Sequence, residues 1–382
     1  MAIADRIRRC KVRGRKKDGE KGAKTQCQTA YRCSLRKTAA ERERFGRYFG
    51  RFVASVPRKV ESCCPRRRAK LTCEALALLH SEPVIRRVAV KLVTFGIPGA
   101  ASLLGIASAN GIIQVSAHIP DAPRDMIGLI GAWPAFQNRL QRLPETTEAD
   151  FAFDHVSLLA PIPRPGKILG IGLNYADHLD ESGMEKPADQ LWFAKASTSA
   201  NGPFAPIDLP PVSEQLDYEA ELAFIVGKTC RNVSRYDAHE VIFGYCAAND
   251  VSVRDWQLRT SQFMLGKSFD THAPFGPWIV TSDEVGDPHN LRIRCFVNSE
   301  MRQDSNTRHL IFNCFEQIEH LSTVMTLEPG DVILTGTPGG VGAGHKPPRW
   351  LRTGDRVRVE IERIGAIENI VRLDSATGAL SR

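Results

Sequence analysis

Two glutamates one residue apart, Glu219 and Glu221, stand at the mouth of the apolar run Leu222 to Gly227. The run reads as a buried strand, being short, rich in β-formers and closed by a glycine. Side chains alternate along a strand, so both carboxylates point to one side, roughly 6.5–7 Å apart. Acids in such a place are costly unless something compensates them. Two hard oxygen donors at that spacing can converge on one divalent cation such as Mg²⁺ or Ca²⁺. The same pair also fits a plain solvated strand start. Asp217 lies on the same side of the strand, either as a turn-closing residue or as a contact to the ion through water. A third carboxylate, Asp250, ends the next apolar run, Val241 to Ala248, and Arg254 and Gln257 follow at once. Two lysines sit among apolar or small residues, Lys195 in WFAKAS and Lys267 in LGKSF. A lysine in such a setting commonly extends its stem along apolar surface and its charge into water.

His178 and Glu181 are three apart in NYADHLDE and share a face if that stretch is helical. A carboxylate beside an imidazole fixes one tautomer and raises its basicity, which suits a general base acting on water. An ordinary surface helix would carry the same two residues. The polar segment 182–190, with glycine and proline, has the composition of a lid. Gly336-Thr337-Pro338-Gly339-Gly340-Val341-Gly342 is a glycine-rich turn whose backbone N–H groups suit an anion such as a substrate carboxylate. It is not a nucleotide loop, because no G-x-x-x-x-G-K-[ST] pattern occurs.

The elements that must position these groups are mostly strands. Lys167 to Leu173 runs into the His178 stretch, and Asp331 to Thr335 feeds the glycine-rich turn. Leu291, Ile293, Cys295 and Val297 alternate with polar residues, as do Val357, Val359 and Ile361 in a closing strand. Leu310, Ile311, Cys314, Phe315, Ile318, Leu321 and Met325 fall at helical spacing, with Pro329-Gly330 as the stop. Upstream, from Val88, strands and an Asn110-Gly111 hairpin turn predict a small β-rich unit with two short helices. The proline-dense stretch Pro161 to Gly166 marks its end. The expected organisation is a basic extension over 1–85, a small N-terminal cap over 86–160 and a catalytic domain over 161–375.

Charge and cysteine separate the extension from the rest. Residues 1–75 hold 23 Lys and Arg against 7 Asp and Glu, and the remainder holds 28 against 36. Six of the ten cysteines precede residue 76. The basic pI is therefore no evidence that the folded body binds nucleic acid. A nucleic-acid-binding tail, a transit peptide and a segment foreign to the native protein compete for the extension, and its abrupt compositional edge near residue 85 favours the last. Its seven acids count against a transit peptide. Nucleic-acid binding through the tail is the functional reading of a different class, and it predicts steep salt dependence. No apolar run reaches the length needed to cross a bilayer, and no secretory pattern opens the chain. Cys230, Cys246, Cys295 and Cys314 read as reduced core residues of a cytoplasmic protein.

Five motifs in this order, NYADHLDE, DYEAEL, ANDVSVRDWQ, GKSFDTHAPFGPW and LEPGDVILTGTPGGVG, resemble the fumarylacetoacetate hydrolase superfamily from Lys167 to about Val371. The resemblance implies an α+β, mostly β fold, a mixed β-sandwich roll, and a homodimer. It implies one Mg²⁺, with Mn²⁺ or Ca²⁺ as alternatives, held by Glu219, Glu221 and Asp250. Lys267 would stand beside the metal, and His178 and Glu181 would form a water-activating dyad. Lys195, Arg254, Gln257, Gly336 and Thr337 would line the pocket of a small 2-oxo acid. Ala196 and Gly339 stand where the family commonly has proline, and neither change removes a functional group. The expected reaction is metal-dependent hydrolysis of a carbon–carbon bond in a β-diketo acid through an enolate. Tautomerisation, isomerisation, hydration or decarboxylation of related dioates are the alternatives, since each needs the same enolate.

Overall fold

The structure is a computed structural model that describes residues 90–374 except 98, 100 and 178–186. Ala220–Val226 is buried along its whole length and lies near the middle of the larger sheet. Alternation sends its side chains into two cores. Leu222, Phe224 and Val226 face one core, shared with Ile293, Cys295, Val357, Val359 and Ile367 of the second sheet. Ala223 and Ile225 face another, shared with Met126, Leu129, Ile130 and Leu140 of the upstream helices. A strand covered on both faces needs a continuous apolar run, which the sequence supplies.

The larger sheet runs in the order Ile112–Gln114, Leu103–Ala107, Lys91–Gly96, Ala273–Thr281, Ile242–Asn249, Ala220–Val226, Val332–Leu334, Ile168–Gly172, Leu191–Lys195. Most neighbours are antiparallel, but Val332–Leu334 and Ile168–Gly172 pair in parallel, so the sheet is mixed. The second sheet orders Glu300–Asn306, Arg292–Val297, Arg356–Ile361, Gly365–Leu373 and Ile207–Leu209. Its outer face carries ion pairs such as Arg292–Asp304 and Arg294–Glu360. Its inner face closes the first core and its other face is wet, as in a mainly antiparallel sheet, with Gly365–Leu373 and Ile207–Leu209 as its one parallel pair. The fold is α+β and mostly strand.

Upstream, the Asn110-Gly111 turn joins Leu103–Ala107 to Ile112–Gln114 as expected. The first described strand of the 86–160 segment is Lys91–Gly96. Lys91 and Leu92 pair with Val280 and Ile279, so this segment extends the body's sheet. The helix expected from Leu310 onward begins at Cys314, because Asn313 accepts from the N–H groups of Phe315 and Glu316 while Glu316 reaches back in a capping box. It ends at Val324, ahead of Pro329-Gly330, since Met325 is already extended. The four described cysteines are free and buried.

His272 precedes the strand Ala273–Thr281 and is fully buried. Its Nε2 lies 2.8 Å from the Asp208 carbonyl oxygen, so the neutral ring donates there. Burial pushes its pKa down to about 3. The unfolded chain takes up a proton near pH 6.5 and the fold does not. Stability is therefore lost as pH falls from 6.5 toward 3, by about 1.4 kcal/mol per unit. Urea unfolding at pH 7 and pH 5 is expected to show a fall about 2 kcal/mol larger in the wild type than in His272→Gln, which keeps a donor for Asp208. Equal falls in the two proteins would refute this assignment.

Candidate active site

The two core-filling strands end in acids on the same side of the sheet. Glu219 lies in the short break between Leu216–Asp217 and Ala220–Val226, and Glu221 lies within the latter. The break is held by the neighbouring strand, whose Asn249 side chain accepts the Glu219 N–H at 2.9 Å. The Asp250 N–H donates to the Glu219 carbonyl at 2.9 Å. Asp250 thereby arrives beside the two glutamates, and one oxygen from each of the three lies within 4.8 Å of the others. All three are buried, with Glu219 the most exposed at 6%.

Cationic side chains compensate these acids. Lys267, last residue of the short helix Met264–Lys267, donates to Glu219 at 2.8 Å and to Asp250 at 2.7 Å. Lys195, last residue of Leu191–Lys195, reaches the other Asp250 oxygen at 2.5 Å. Arg254 contacts Glu219 through Nη1 at 2.6 Å and Asp217 through Nε at 2.9 Å. Gln257, one turn along the same short helix, accepts from Arg254 at 2.9 Å.

The environment splits the groups. Burial would raise the pKa of Glu219, but the charges of Lys267 and Arg254 outweigh it and hold the carboxyl below its ordinary range. For Glu221, burial and the like charges of Asp250 and Glu219 act together and raise its pKa well above that range. Burial depresses the Lys195 pKa, and Asp250 only partly offsets it. Burial also opposes the charge on Lys267, but Asp250 and Glu219 overcome it and raise its pKa.

The glycine-rich turn closes one side. The Gly336 N–H donates to Glu221 at 2.7 Å. The Thr337 hydroxyl accepts from Gln303 at 2.8 Å, and Gln303 in turn accepts the Ala220 N–H at 3.0 Å. The structure thus brings together Glu219, Glu221, Asp250, Lys195, Lys267, Arg254 and Gly336, with Gln257 and Thr337 one contact further out. His178 and Glu181 lie outside the described residues, as does most of the expected lid.

Sequence reasoning missed Gln303 and Asn174. Gln303 is buried and joins the acidic strand to the turn. Asn174 is also buried and donates to the carbonyls of Thr335 and Phe312 at the root of that turn. Its place directly after an apolar strand was a usable signal. Gln303 had none, because Glu300–Asn306 shows no apolar alternation.

Three buried carboxylates converging from two adjacent strands form an all-oxygen donor set suited to a hard divalent cation. Each of the three carboxylates already has a hydrogen-bond partner that fixes its orientation. The residues fit such an ion.

Residues 167–372 match the family model described as fumarylacetoacetate hydrolase C-terminal. The chain belongs to that family, and it is an enzyme family. The oxaloacetate tautomerase FAHD2B, mitochondrial, of Bos taurus is 42% identical over 287 residues, 74% of this chain and 91% of the relative. A crystal structure of maleylpyruvate hydrolase from Sphingobium sp. SYK-6, in complex with manganese(II) and pyruvate, is 33% identical. It covers 75% of this chain and 100% of its own, with a TM-score of 0.64. A 5-carboxymethyl-2-hydroxymuconate delta-isomerase from Mycobacterium smegmatis is 33% identical over 74% of this chain and 100% of its own, with a TM-score of 0.59.

Proposed function

We propose that this chain is a divalent-cation-dependent tautomerase of a small 2-oxo dioate of the oxaloacetate type. The observation that carries the reading is the buried triad Glu219, Glu221 and Asp250 with Lys267 spanning two of its members. The likeness to an oxaloacetate tautomerase across 91% of that relative's length supports the choice of reaction. Mg²⁺ is the expected ion, with Mn²⁺ or Ca²⁺ as alternatives, and Glu219, Glu221 and Asp250 would hold it. When bound, the ion supplies Lewis-acid stabilisation of negative charge developing at the 2-oxo group.

The chain's own residues do the rest. Arg254, supported by Gln257, and the Gly336-Thr337 turn bind and orient the substrate's carboxylates. Lys195 holds Asp250 in place. Lys267 Nζ holds the proton that passes between the enol oxygen and the adjacent carbon, the role of a positioned general acid and base. No proton is gained or lost overall, so no water need attack.

Carbon–carbon hydrolysis is the second reading, supported by the likeness to maleylpyruvate hydrolase. It needs the water-activating pair His178 and Glu181. The assay is decay of enol-oxaloacetate absorbance beside pyruvate release from an acylpyruvate, each with Mg²⁺ and with a chelator. Tautomerisation that the chelator stops, and that His178→Ala retains, is the expected result. Pyruvate release with no acceleration of tautomerisation would overturn the first reading in favour of the second. A homodimer and a cytoplasmic location belong to the same proposal, with light scattering and cell fractionation as their checks.

A further inference from the structure

Asp217 shares the strand parity of Glu219 and Glu221, but it is not among the three carboxylates that converge within 4.8 Å of one another. Its Oδ1 accepts from the N–H groups of Tyr218 at 2.9 Å and Gly342 at 2.7 Å. Its Oδ2 accepts from the Ala343 N–H at 2.9 Å and from Arg254 Nε at 2.9 Å. The approach at Gly342 is close enough that a Cβ there would lie 2.5 Å from Asp217 Oδ1, so glycine is required. The side chain is fully buried. One of its partners is the guanidinium that also touches Glu219 at 2.6 Å.

Arg254 therefore stands between two carboxylates, one a candidate cation ligand and one not. Alone, a guanidinium on Glu219 would oppose a dication on the same carboxylate, since like charges at such range repel strongly in a buried site. Asp217 changes that balance. With Glu219, Glu221, Asp250 and Asp217 set against Lys195, Lys267 and Arg254, all counted as ionised, the cluster carries one net negative charge. Without Asp217 it carries none. The Nε contact also anchors the guanidinium, whose Nη1 meets Glu219 Oε1 while Lys267 donates to Glu219 Oε2.

We propose that Asp217 is a positioning residue that neutralises Arg254 and pins it, keeping the carboxylate site attractive to a divalent cation. The inference rests on the cation site proposed above. It gives the acid a role through Arg254 and none as a ligand.

The test is Mn²⁺ titration of metal-stripped protein, followed by the electron paramagnetic resonance of free Mn²⁺. It compares wild type, Asp217→Asn, Arg254→Gln and the double variant. Asp217→Asn is expected to raise the Mn²⁺ Kd about tenfold or more, because an uncompensated guanidinium then faces the ion. Arg254→Gln is expected to bind Mn²⁺ at least as tightly as wild type. The double variant is expected to return to within about threefold of wild type, the non-additivity of a pair acting as a unit. A merely structural role would lower the melting temperature of Asp217→Asn and leave its Kd unchanged, which overturns the proposal. So does a double variant as weak as Asp217→Asn. Should Asp217→Asn fail to fold, Arg254→Gln decides, since weaker binding than wild type contradicts the charge argument. Wild type that binds no Mn²⁺ sinks the cation site itself, a failure distinct from wild-type binding with unresponsive variants.

Discussion

Glu221→Gln is expected to abolish divalent-cation binding and lower turnover by about a thousandfold or more, while leaving the metal-free protein at least as stable as wild type. A thousandfold corresponds to about 4 kcal/mol of lost transition-state stabilisation, within the range that a Lewis-acid ion supplies. The amide keeps an oxygen for the Gly336 N–H, which Glu221 now receives at 2.7 Å, so the turn stays in place. What it loses is an anionic donor, and its NH₂ group cannot ligate an ion. The gain in stability comes from the same charge. Burial, with Asp250 and Glu219 alongside, raises the Glu221 pKa well above its ordinary range. A carboxyl whose folded pKa lies above its unfolded value costs stability as pH rises from the unfolded value through the folded one. At neutral pH without metal, the wild type bears that cost and the glutamine variant does not. Calorimetric Mn²⁺ titration, thermal melting in chelator and kcat measure the three effects. Mn²⁺ affinity within threefold of wild type, or full turnover, would remove Glu221 from the ligand set.

Much of this was readable in the chain because it is local. The apolar run Leu222 to Val226, closed by Gly227, specifies the strand that the structure extends to Ala220–Val226, and period-two alternation puts Glu219 and Glu221 on one side. The lysine at 267 stood out by its setting, but not its partners, since contacts with Glu219 and Asp250 depend on how distant elements pack. The same limit explains Asp217. Its parity with the glutamates suggested an ion contact. Its oxygens are in fact committed to Gly342, Ala343, Tyr218 and Arg254, of which only Tyr218 is close in sequence. In the N-terminal segment the strands and the hairpin are legible because their pairings are local. Its pairing of Lys91 with Val280 is not. Gly365–Leu373 closes the second sheet against Arg356–Ile361 and Ile207–Leu209. It went unread because Glu368 and Asn369 interrupt its apolar pattern, and Asn369 is buried by donating to the carbonyls of Gly202 and Ala205.

The site's two faces, one chemical and one structural, separate most clearly at Lys267. The residue is almost wholly buried, its Nζ bridges Glu219 and Asp250, and it lies 4.8 Å from the centroid of the Phe193 ring. Its helix packs so closely on the neighbouring one that a Cβ on Gly266 would collide with the Gln257 backbone, and the ammonium is held by Glu219 and Asp250 at 2.8 and 2.7 Å. Lys267→Met keeps most of the stem's volume and deletes the charge. In metal-free protein this leaves two buried carboxylates short of a counter-ion, a change that costs about 3–5 kcal/mol. A bound dication restores the missing charge, so the variant is expected to recover most of that loss in Mn²⁺ and to bind Mn²⁺ more tightly than wild type. Activity should not recover with stability. The proton held at Nζ is gone, and loss of a positioned acid–base group lowers rates by about 10²–10⁴-fold. Melting curves with chelator and with saturating Mn²⁺, set beside kcat under the second condition, separate the two effects. A metal-free methionine variant as stable as wild type would contradict the electrostatic account. Turnover within tenfold of wild type in Mn²⁺ would leave Lys267 as a counter-ion and remove it from the proton transfer.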